Sequence, residues 1–290
     1  MSTYQFKQVD VFTARPLLGN PVAVVLNADG IDPAQMQRIA SWTNLSETTF
    51  VLKPSSPEAD YRLRIFTPGQ ELPFAGHPTV GSAHAALEAG VIDGPSFRQE
   101  CGAGLLLLTV EGEGAERRIF VRAPEAKFVR DYGDLTAAVS ASLGAHIVPE
   151  PAPAAMDNGP VWLFARLESD SEVAGLKPDM SAITKLSQEH GLTGIAAFAL
   201  LEGDGPSVHI RCFAPAAGIP EDPVTGSANA ALPAYLARAG LLDGARREYV
   251  STQGTELGRD GRVYVRALDG QGRAEIGGHA VTVIEGEIRL

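Results

Sequence analysis

Two short loops of this 290-residue chain combine glycine with side chains that can move protons, and each loop leads into a predicted helix. One loop spans residues 74–78 and contains Gly76 and His77, and the other spans residues 221–227 and contains Asp222. The free backbone N–H groups and the positive dipole end at a helix start bind carboxylate or phosphate groups. Two such starts that faced each other across a seam would form a cleft for a small anionic substrate.

Each acid–base candidate also has a purely structural interpretation. Asp222 precedes a proline at a predicted helix start, which is the pattern of an ordinary N-cap. His77 is a poor N-cap compared with Ser, Asp or Asn, so its place in the loop favours a functional role. Glu47 follows a predicted helix and precedes an apolar strand, where a glutamate is usually a solvated surface residue. A carboxylate buried near the two loops would instead be a base whose pKa burial can tune for proton transfer.

Other catalytic classes lack their sequence patterns. Ser227, His77 and Asp222 are the residue types of a serine hydrolase, but no Gly-x-Ser-x-Gly elbow occurs. Ser227 fits better as a hydroxyl donor in the first turn of its helix. The six histidines show no His-Glu-x-x-His spacing and no Cys-x-x-Cys pair occurs, so no metal site is expected. The glycine-rich loops of nucleotide-binding proteins are also missing, which argues against a nucleotide cofactor.

The composition excludes several classes of partner. Lys and Arg number 24 against 35 Asp and Glu, which gives a formal net charge of −11 at pH 7. So acidic a chain is poorly suited to bind nucleic acid or an anionic membrane through its overall field. Its longest apolar stretches fall far short of the roughly 18 residues that cross a bilayer. The first residues lack the apolar core of a signal peptide and two cysteines make no disulfide framework, so a cytoplasmic location is expected.

The sequence contains an internal repeat, which indicates two copies of one domain. An arginine, a phenylalanine and a proline at alternate positions occur at residues 64–68 and again at 211–215. A Gly-Ser-Ala tripeptide follows at 81–83 and again at 226–228. Small-molecule sites form preferentially where two such copies pack against each other. Matching motifs of the two copies are therefore expected to meet at one seam.

Within each copy the pattern predicts strands, a helix, further strands and a second helix. The first helix is predicted over residues 33–43, because Asp32 suits an N-cap and a proline suits the first helical position. Its equivalent in the second copy is predicted at Met180–His190. The second helices are predicted over residues 78–89 and 223–239. Because the strands cluster between helices instead of alternating with them, we predict an α+β fold and not a Rossmann sheet.

Several segments together resemble the phenazine-biosynthesis PhzF-like family, and the resemblance spans nearly the whole chain. The segments are residues 10–13, 18–24, 44–50, 66–79 and 221–227. The resemblance implies the fold of diaminopimelate epimerase: two pseudo-symmetric domains, each a barrel-like mixed sheet around a central helix. In such folds the C-terminal strand returns to the first domain. The expected domains are therefore residues 1–128 with 279–290, and residues 129–278.

The resemblance also implies a chemistry. In PhzF-like enzymes a single glutamate, which matches Glu47, shuttles a proton, and characterised members isomerise trans-2,3-dihydro-3-hydroxyanthranilate to its ketone form. His77 and Asp222 would then hold the amine and hydroxyl of the substrate and adjust the basicity of Glu47. The residues that match the substrate-binding positions of the family are Ser46, Gly76, Gly226 and Ser227.

Epimerases of this fold that need no cofactor use two cysteines beside the helix starts. Cys101 and Cys212 lie outside both loops, so a two-thiol mechanism is not expected. The resemblance implies a homodimeric isomerase of a small anionic substrate, with no metal, cofactor, nucleic acid or membrane partner. Two alternatives stay open: an isomerase or epimerase of another small amino or hydroxy acid, and a ligand-binding protein without turnover. Glu47 argues against the second, because a pure binder needs no proton carrier.

Overall fold

The computed structural model describes residues 2–205, 207–242, 247–270 and 272–290, which form a mixed α+β structure. The helices are α1 (Pro33–Thr43), α2 (Gly76–Glu88), α3 (Thr136–Leu143), α4 (Asp170–Ala174), α5 (Met180–His190) and α6 (Gly226–Arg238). The strands are β1 (Thr3–Val11), β2 (Asn20–Val25), β3 (Thr48–Leu52), β4 (Tyr61–Phe66), β5 (Glu71–Leu72), β6 (Ser96–Cys101), β7 (Gly104–Glu111), β8 (Arg118–Arg122), β9 (Lys127–Asp131), β10 (Ala154–Asp157), β11 (Val161–Arg166), β12 (Gly194–Leu200), β13 (Val208–Ala214), β14 (Ile219–Asp222), β15 (Glu248–Gln253), β16 (Gly261–Ala267), β17 (Ala274–Gly278) and β18 (Ala280–Arg289).

The chain divides into two compact units. The first unit contains residues 1–122 and 277–290, and the second contains residues 123–276. The domain boundaries expected from the sequence stay a prediction. Among the described residues, no helix has both the length and the apolar character that a membrane span requires.

The first unit wraps strands around α2. β1 pairs antiparallel with β18 on one side and with β2 on the other, and β2 pairs parallel with β3. β4 then pairs antiparallel with β3 and β5 and parallel with β6, and β7 joins β6 to β8. Every residue of α2 from Gly76 to Ala86 is buried, and the helix contacts β1, β2, β3, β4, β8 and β18. Such all-round burial is expected of a helix that a sheet encloses.

The second unit repeats this order of pairings. β10 pairs antiparallel with β11, β11 parallel with β12, and β12 antiparallel with β13. β13 then pairs antiparallel with β14 and parallel with β15, which pairs with β16. α6 takes the place of α2 as the buried helix and contacts β9, β10, β11 and β16. The repeat in the sequence therefore corresponds to a repeat of topology.

The repeated arginine explains part of the sequence match between the copies. Arg64 donates two hydrogen bonds to the carboxylate of Glu71 on β5, at 2.7 and 2.6 Å. Arg211 does the same to Glu221 on β14, at 2.8 and 2.9 Å. In both copies the guanidinium carbon lies 5.1 Å from the ring centre of the phenylalanine two residues further on. Only arginine can form a bidentate contact with a carboxylate and stack on a ring at the same time, so lysine would not substitute for it.

The helix boundaries agree with the sequence at α1 and α5 and differ at α2 and α6. α1 begins after Asp32, whose side chain accepts a hydrogen bond from the Gln35 N–H, as predicted. α6 begins only at Gly226, and its N-cap is Thr225. The interpretation of Asp222 as an N-cap is therefore wrong. The reason is tertiary, because Asp222 ends β14 and its backbone pairs with β13.

Candidate active site

The centre of the candidate site in the first unit is a contact between Glu47 and His77. The Nε2 atom of His77 lies 3.2 Å from Oε2 of Glu47, and both side chains are largely buried. Glu47 directly precedes β3, and its backbone carbonyl accepts a hydrogen bond from the Ala23 N–H on β2. His77 is the second residue of α2. The structure thus brings together two of the predicted catalytic residues and rules out a solvated surface position for Glu47.

Side chains around this contact fix β3 against α2. The Thr49 hydroxyl lies 2.7 Å from the Ser82 hydroxyl on α2 and also donates to the Ala23 carbonyl. Since Thr49 is two residues from Glu47, this contact couples the position of the carboxylate to the helix that carries His77. The contact therefore limits how far the two groups can drift apart.

Burial determines the charge of His77. Its pKa is lowered to about 3, mainly because burial disfavours the charged ring, while a hydrogen bond with the Pro21 backbone opposes the shift. The ring is therefore neutral near pH 7, with one N–H donor and one lone pair. If Nε2 carries the proton it can face a carboxylate, and if Nδ1 carries it Nε2 can face a carboxylic acid. A neutral His77 thus suits a neighbour that alternates between base and acid.

The start of α2 offers backbone donors beside this contact. Gly76 is the first helical residue and is buried, and the N-cap is Ala75, whose side chain cannot bond the first-turn N–H groups. His77 therefore lies inside the helix and is not its cap. Ser46, the remaining predicted residue of this unit, is half-buried and adjacent to Glu47 in the chain.

The second unit holds Asp222 at the end of β14, opposite Cys212 of β13. The Thr225 hydroxyl donates to Oδ2 of Asp222 at 2.8 Å. Gln253, at the end of β15, donates to the Asp222 carbonyl at 2.9 Å and accepts from the Thr225 N–H at 2.9 Å. Asp222 is thus held by both its carboxylate and its backbone.

Gly226 and Ser227 are the first two residues of α6. The indole N–H of Trp162 donates to the Ser227 hydroxyl oxygen at 2.9 Å, and the amide of Asn158 donates to the Ser227 carbonyl at 2.9 Å. Because the hydroxyl oxygen accepts from Trp162, its own proton is directed elsewhere and can be donated. The donor role that the sequence predicts for Ser227 in the first turn stays a prediction.

The cysteines have the wrong properties for an acid–base pair. Burial raises the pKa of the Cys212 thiol well above its ordinary value and also raises that of Cys101. Neither sulfur is therefore a thiolate near neutral pH. In the part of the chain that the structure describes, no three His, Cys, Asp or Glu side chains lie close enough to hold a metal ion.

The structure also identifies polar neighbours that the sequence analysis missed. They are Asn20, Asn158, Trp162, Thr225 and Gln253. The sequence carries a loose signal for two of them, because an asparagine precedes a Pro-Val pair in both copies, directly at Asn20 and with one glycine between at Asn158. In each unit this asparagine reaches the second residue of the buried helix: Nδ2 of Asn20 lies 3.4 Å from Nδ1 of His77, and Asn158 bonds Ser227.

A cleft of about 550 Å³ lies elsewhere in the second unit. Its lining includes Asp131, Glu150, Tyr235 and Arg238 and none of the predicted site residues. The hydroxyl of Tyr235 is already committed to the backbone carbonyls of Pro151 and Ala152. The cleft therefore does not bear on the chemistry of Glu47 and His77.

Comparison with known proteins assigns the chain to a family. The model of the family described as phenazine biosynthesis-like protein, PhzC-PhzF, matches residues 9–286. The chain belongs to this family. The PhzF-like membership and the diaminopimelate epimerase-like α+β fold predicted from the sequence are thereby confirmed.

Three relatives illustrate the likeness. "Antisense-enhancing sequence 1" of Schizosaccharomyces pombe is 38% identical, over 99% of each chain. A trans-2,3-dihydro-3-hydroxyanthranilate isomerase of Pseudomonas chlororaphis is 37% identical, over 97% of this chain and 98% of its own. A crystal structure of a PhzF-family phenazine biosynthesis protein from Bacillus anthracis has a TM-score of 0.87 at 31% identity, covering 100% of both chains. The PhzF-like chain described here is an isomerase of this family.

Proposed function

We propose that the chain isomerises a small carboxylate substrate such as trans-2,3-dihydro-3-hydroxyanthranilate by moving a proton with Glu47. The observation that carries the proposal is the buried carboxylate of Glu47, 3.2 Å from a His77 ring that burial keeps neutral. Full-length similarity to an isomerase of this substrate supports the choice of substrate. The proposed reaction needs no cofactor and no metal.

In the proposed mechanism Glu47 removes the proton from the ring carbon that bears the hydroxyl. The electron pair of that C–H bond moves through the conjugated system, and Glu47 returns the proton to a distant carbon. One C–H bond breaks and another forms, so no electrons are gained or lost overall. The enol that results then tautomerises to the ketone. A single carboxylate can serve both carbons if it stays within about 3 Å of each.

The other site residues are proposed to bind the substrate. The N–H groups at Gly76 and Gly226, with the Ser227 hydroxyl, would bind the carboxylate, because neither Ala75 nor Thr225 in the described chain caps its helix through a side chain. Asp222 and His77 would hold the amine and hydroxyl, and Ser46 would contact the substrate beside Glu47. That residues of both units serve one substrate is part of this proposal.

The test of the function is incubation of the wild-type protein with trans-2,3-dihydro-3-hydroxyanthranilate in D₂O. We expect the ketone to form with deuterium at the carbon that receives the proton. NMR and mass spectrometry measure both the ketone and the deuterium. Deuterium uptake into other small amino or hydroxy acids, with no reaction of this compound, would favour the alternative substrate class. Binding without any deuterium uptake would favour a ligand-binding protein.

The variant that isolates the proton carrier is Glu47→Gln. Glutamine keeps the shape of the side chain but cannot accept the proton, so we expect substrate binding to persist and kcat to fall by at least roughly 10²–10⁴-fold. Cys101→Ser is the matched control and should retain kcat, because the raised pKa of that thiol keeps it out of proton transfer. Full activity of Glu47→Gln, or loss of activity in Cys101→Ser, would contradict the assignment.

The oligomeric state and the location of the protein in the cell are also part of this proposal. An acidic metabolic enzyme of this size is commonly a twofold homodimer, and we propose that state for this chain. The cytoplasmic location stays a prediction.

A further inference from the structure

Asp222 depends on a threonine hydroxyl for one of its carboxylate contacts. Oγ1 of Thr225 lies 2.8 Å from Oδ2 of Asp222 and donates to it. A hydroxyl has one proton and can rotate, so on its own it could point toward Asp222 or away from it. What matters for Asp222 is therefore the group that decides the direction of the Thr225 proton.

Gln253 determines the direction of the Thr225 hydroxyl proton. Its Nε2 donates to the Thr225 hydroxyl oxygen and to the Asp222 carbonyl, both at 2.9 Å. Its Oε1 accepts from the Thr225 N–H at 2.9 Å and from Nδ2 of Asn229 at 3.2 Å. Because two N–H groups face Oε1, the amide cannot be flipped without losing both bonds. The Thr225 oxygen accepts from Gln253, and its own proton is left for the Asp222 carboxylate or for the Cys212 sulfur, which the Thr225 and Gln253 side chains also contact. The carboxylate is the stronger acceptor of the two.

Burial makes this arrangement rigid. Gln253 is 1% exposed, Thr225 is 3% exposed and Asn229 is fully buried. Water therefore cannot replace a lost partner of these three side chains, and each bond in the low-dielectric interior polarises the next. Asn229 also donates to the Thr225 carbonyl at 2.9 Å, which ties the network to the first turn of α6.

We propose that Thr225 and Gln253 are positioning residues for Asp222: Gln253 fixes the direction of the Thr225 hydroxyl, and the hydroxyl fixes the carboxylate in the orientation that turnover requires. This inference rests on the proposed function, in which Asp222 contacts the substrate. Neither Thr225 nor Gln253 contacts the substrate itself. Their effect on the reaction passes entirely through Asp222.

The test is a double-mutant cycle on kcat/KM. Thr225→Val keeps the shape but removes the hydroxyl, and we expect it to lower kcat/KM by roughly 10–100-fold, the loss of one hydrogen bond to a charged group. In an Asp222→Asn background the same substitution should cost less than about threefold, because its target is already altered. Thr225→Ser restores the hydroxyl and should recover most of the activity. Equal losses in both backgrounds would overturn the proposal.

A second variant tests the proposal independently if Thr225→Val fails to fold. Gln253→Glu replaces the donor nitrogen by an acceptor oxygen, so the Thr225 hydroxyl is expected to turn toward residue 253 and kcat/KM to fall. A carboxylate at this buried position also lowers thermal stability, so kcat/KM is measured at a temperature at which circular dichroism shows the variant to be folded. Thr252→Val is the control, since this half-buried neighbour faces the opposite side of β15 and should keep kcat/KM. Wild-type activity in Gln253→Glu would overturn the proposal.

A structural measurement separates this inference from the proposed function. Crystal structures of the wild type and of Thr225→Val should differ in the orientation of the Asp222 carboxylate, whether or not the chosen substrate is turned over. A wild type that leaves the substrate unchanged in D₂O would refute the proposed function alone. An Asp222 carboxylate that keeps its place in Thr225→Val would refute the positioning role alone.

Discussion

His77 links the stability of the fold to pH. Burial lowers its pKa to about 3 in the folded chain, against an ordinary value of 6.5. A folded-state pKa below the unfolded one means that the full stability is present above pH 6.5 and is lost as the pH falls toward 3. We therefore expect the free energy of unfolding to drop by about 1.4 kcal/mol for each pH unit below 6.5 from this residue.

Urea denaturation between pH 6.5 and 5 measures this slope before most carboxylates titrate. His77→Gln should flatten it, because glutamine has no proton to gain. His84→Gln is the comparison, because burial lowers the pKa of His84 as well. This variant should remove the contribution of His84 to the pH dependence of the free energy of unfolding and leave the contribution of His77 unchanged. An unchanged slope in His77→Gln would show that the ring is not buried in its neutral form.

The individual residues differ in how far the sequence predicts them. His77 is predicted because a histidine is unusual at a helix start, and Glu47 because it matches a family pattern. Gln253 and Thr225 were missed, because Gln253 meets Asp222 only through the pairing of β13 with both β14 and β15. Glutamine and threonine near strand ends carry no local signal of such a contact. Residue type predicts chemistry, while strand pairing determines which side chains support it.

Among the elements, some helix starts are determined by local sequence and others by the pairing of neighbouring strands. α1 was predicted correctly because its start is fixed locally, by an aspartate cap followed by proline. α6 was misplaced by three residues, since the extended conformation of residues 219–222 depends on pairing with β13. Local rules predict the start of a helix well only when no neighbouring strand competes for the same residues.

Gly81 in the middle of α2 shows how closely the strands approach that helix. A Cβ atom there would lie 2.5 Å from Cγ1 of Val22 and 2.7 Å from Cγ2 of Val11, and both valines are fully buried. Gly81→Ala would gain about 1 kcal/mol of helix propensity, but overpacking typically costs about 1–3 kcal/mol. We expect a net loss of stability and a fall in kcat, because α2 must shift and it carries His77.

Thermal unfolding and turnover of Gly81→Ala measure both effects. Gly69→Ala is the control, because a Cβ there meets nothing within 4 Å. A Gly81→Ala protein that is more stable than the wild type would mean that β1 and β2 yield easily to α2.

For the whole molecule, the repeat was the most informative part of the sequence. It predicted a twofold recurrence of topology, and the order of strand pairings in the two units agrees. The composition argues against nucleic-acid and membrane partners, which stays a prediction, but it carries no signal for interfaces, since no surface pattern in one sequence identifies what covers it. Whether two molecules of this protein associate must therefore be measured directly.

Light scattering at micromolar concentration tests the proposed homodimer. We expect a mass of twice the 30.5 kDa of the chain. Dilution should leave this mass unchanged over the range in which activity is measured. A mass of one chain at these concentrations would contradict the proposal.

The pairing of β1 with β18 has a consequence for how the protein is made. Thr3 is the register partner of Arg289, so β1, which is synthesised early, receives this neighbour only after residues 280–289 have been made. The second unit is continuous in sequence and can fold on the nascent chain, whereas one edge of β1 must wait. An unpaired strand edge is a template for aggregation, and contacts so distant in sequence form slowly. Newly made chains of this protein are thus most exposed to misassembly, and most in need of a chaperone, until β18 emerges and pairs with β1.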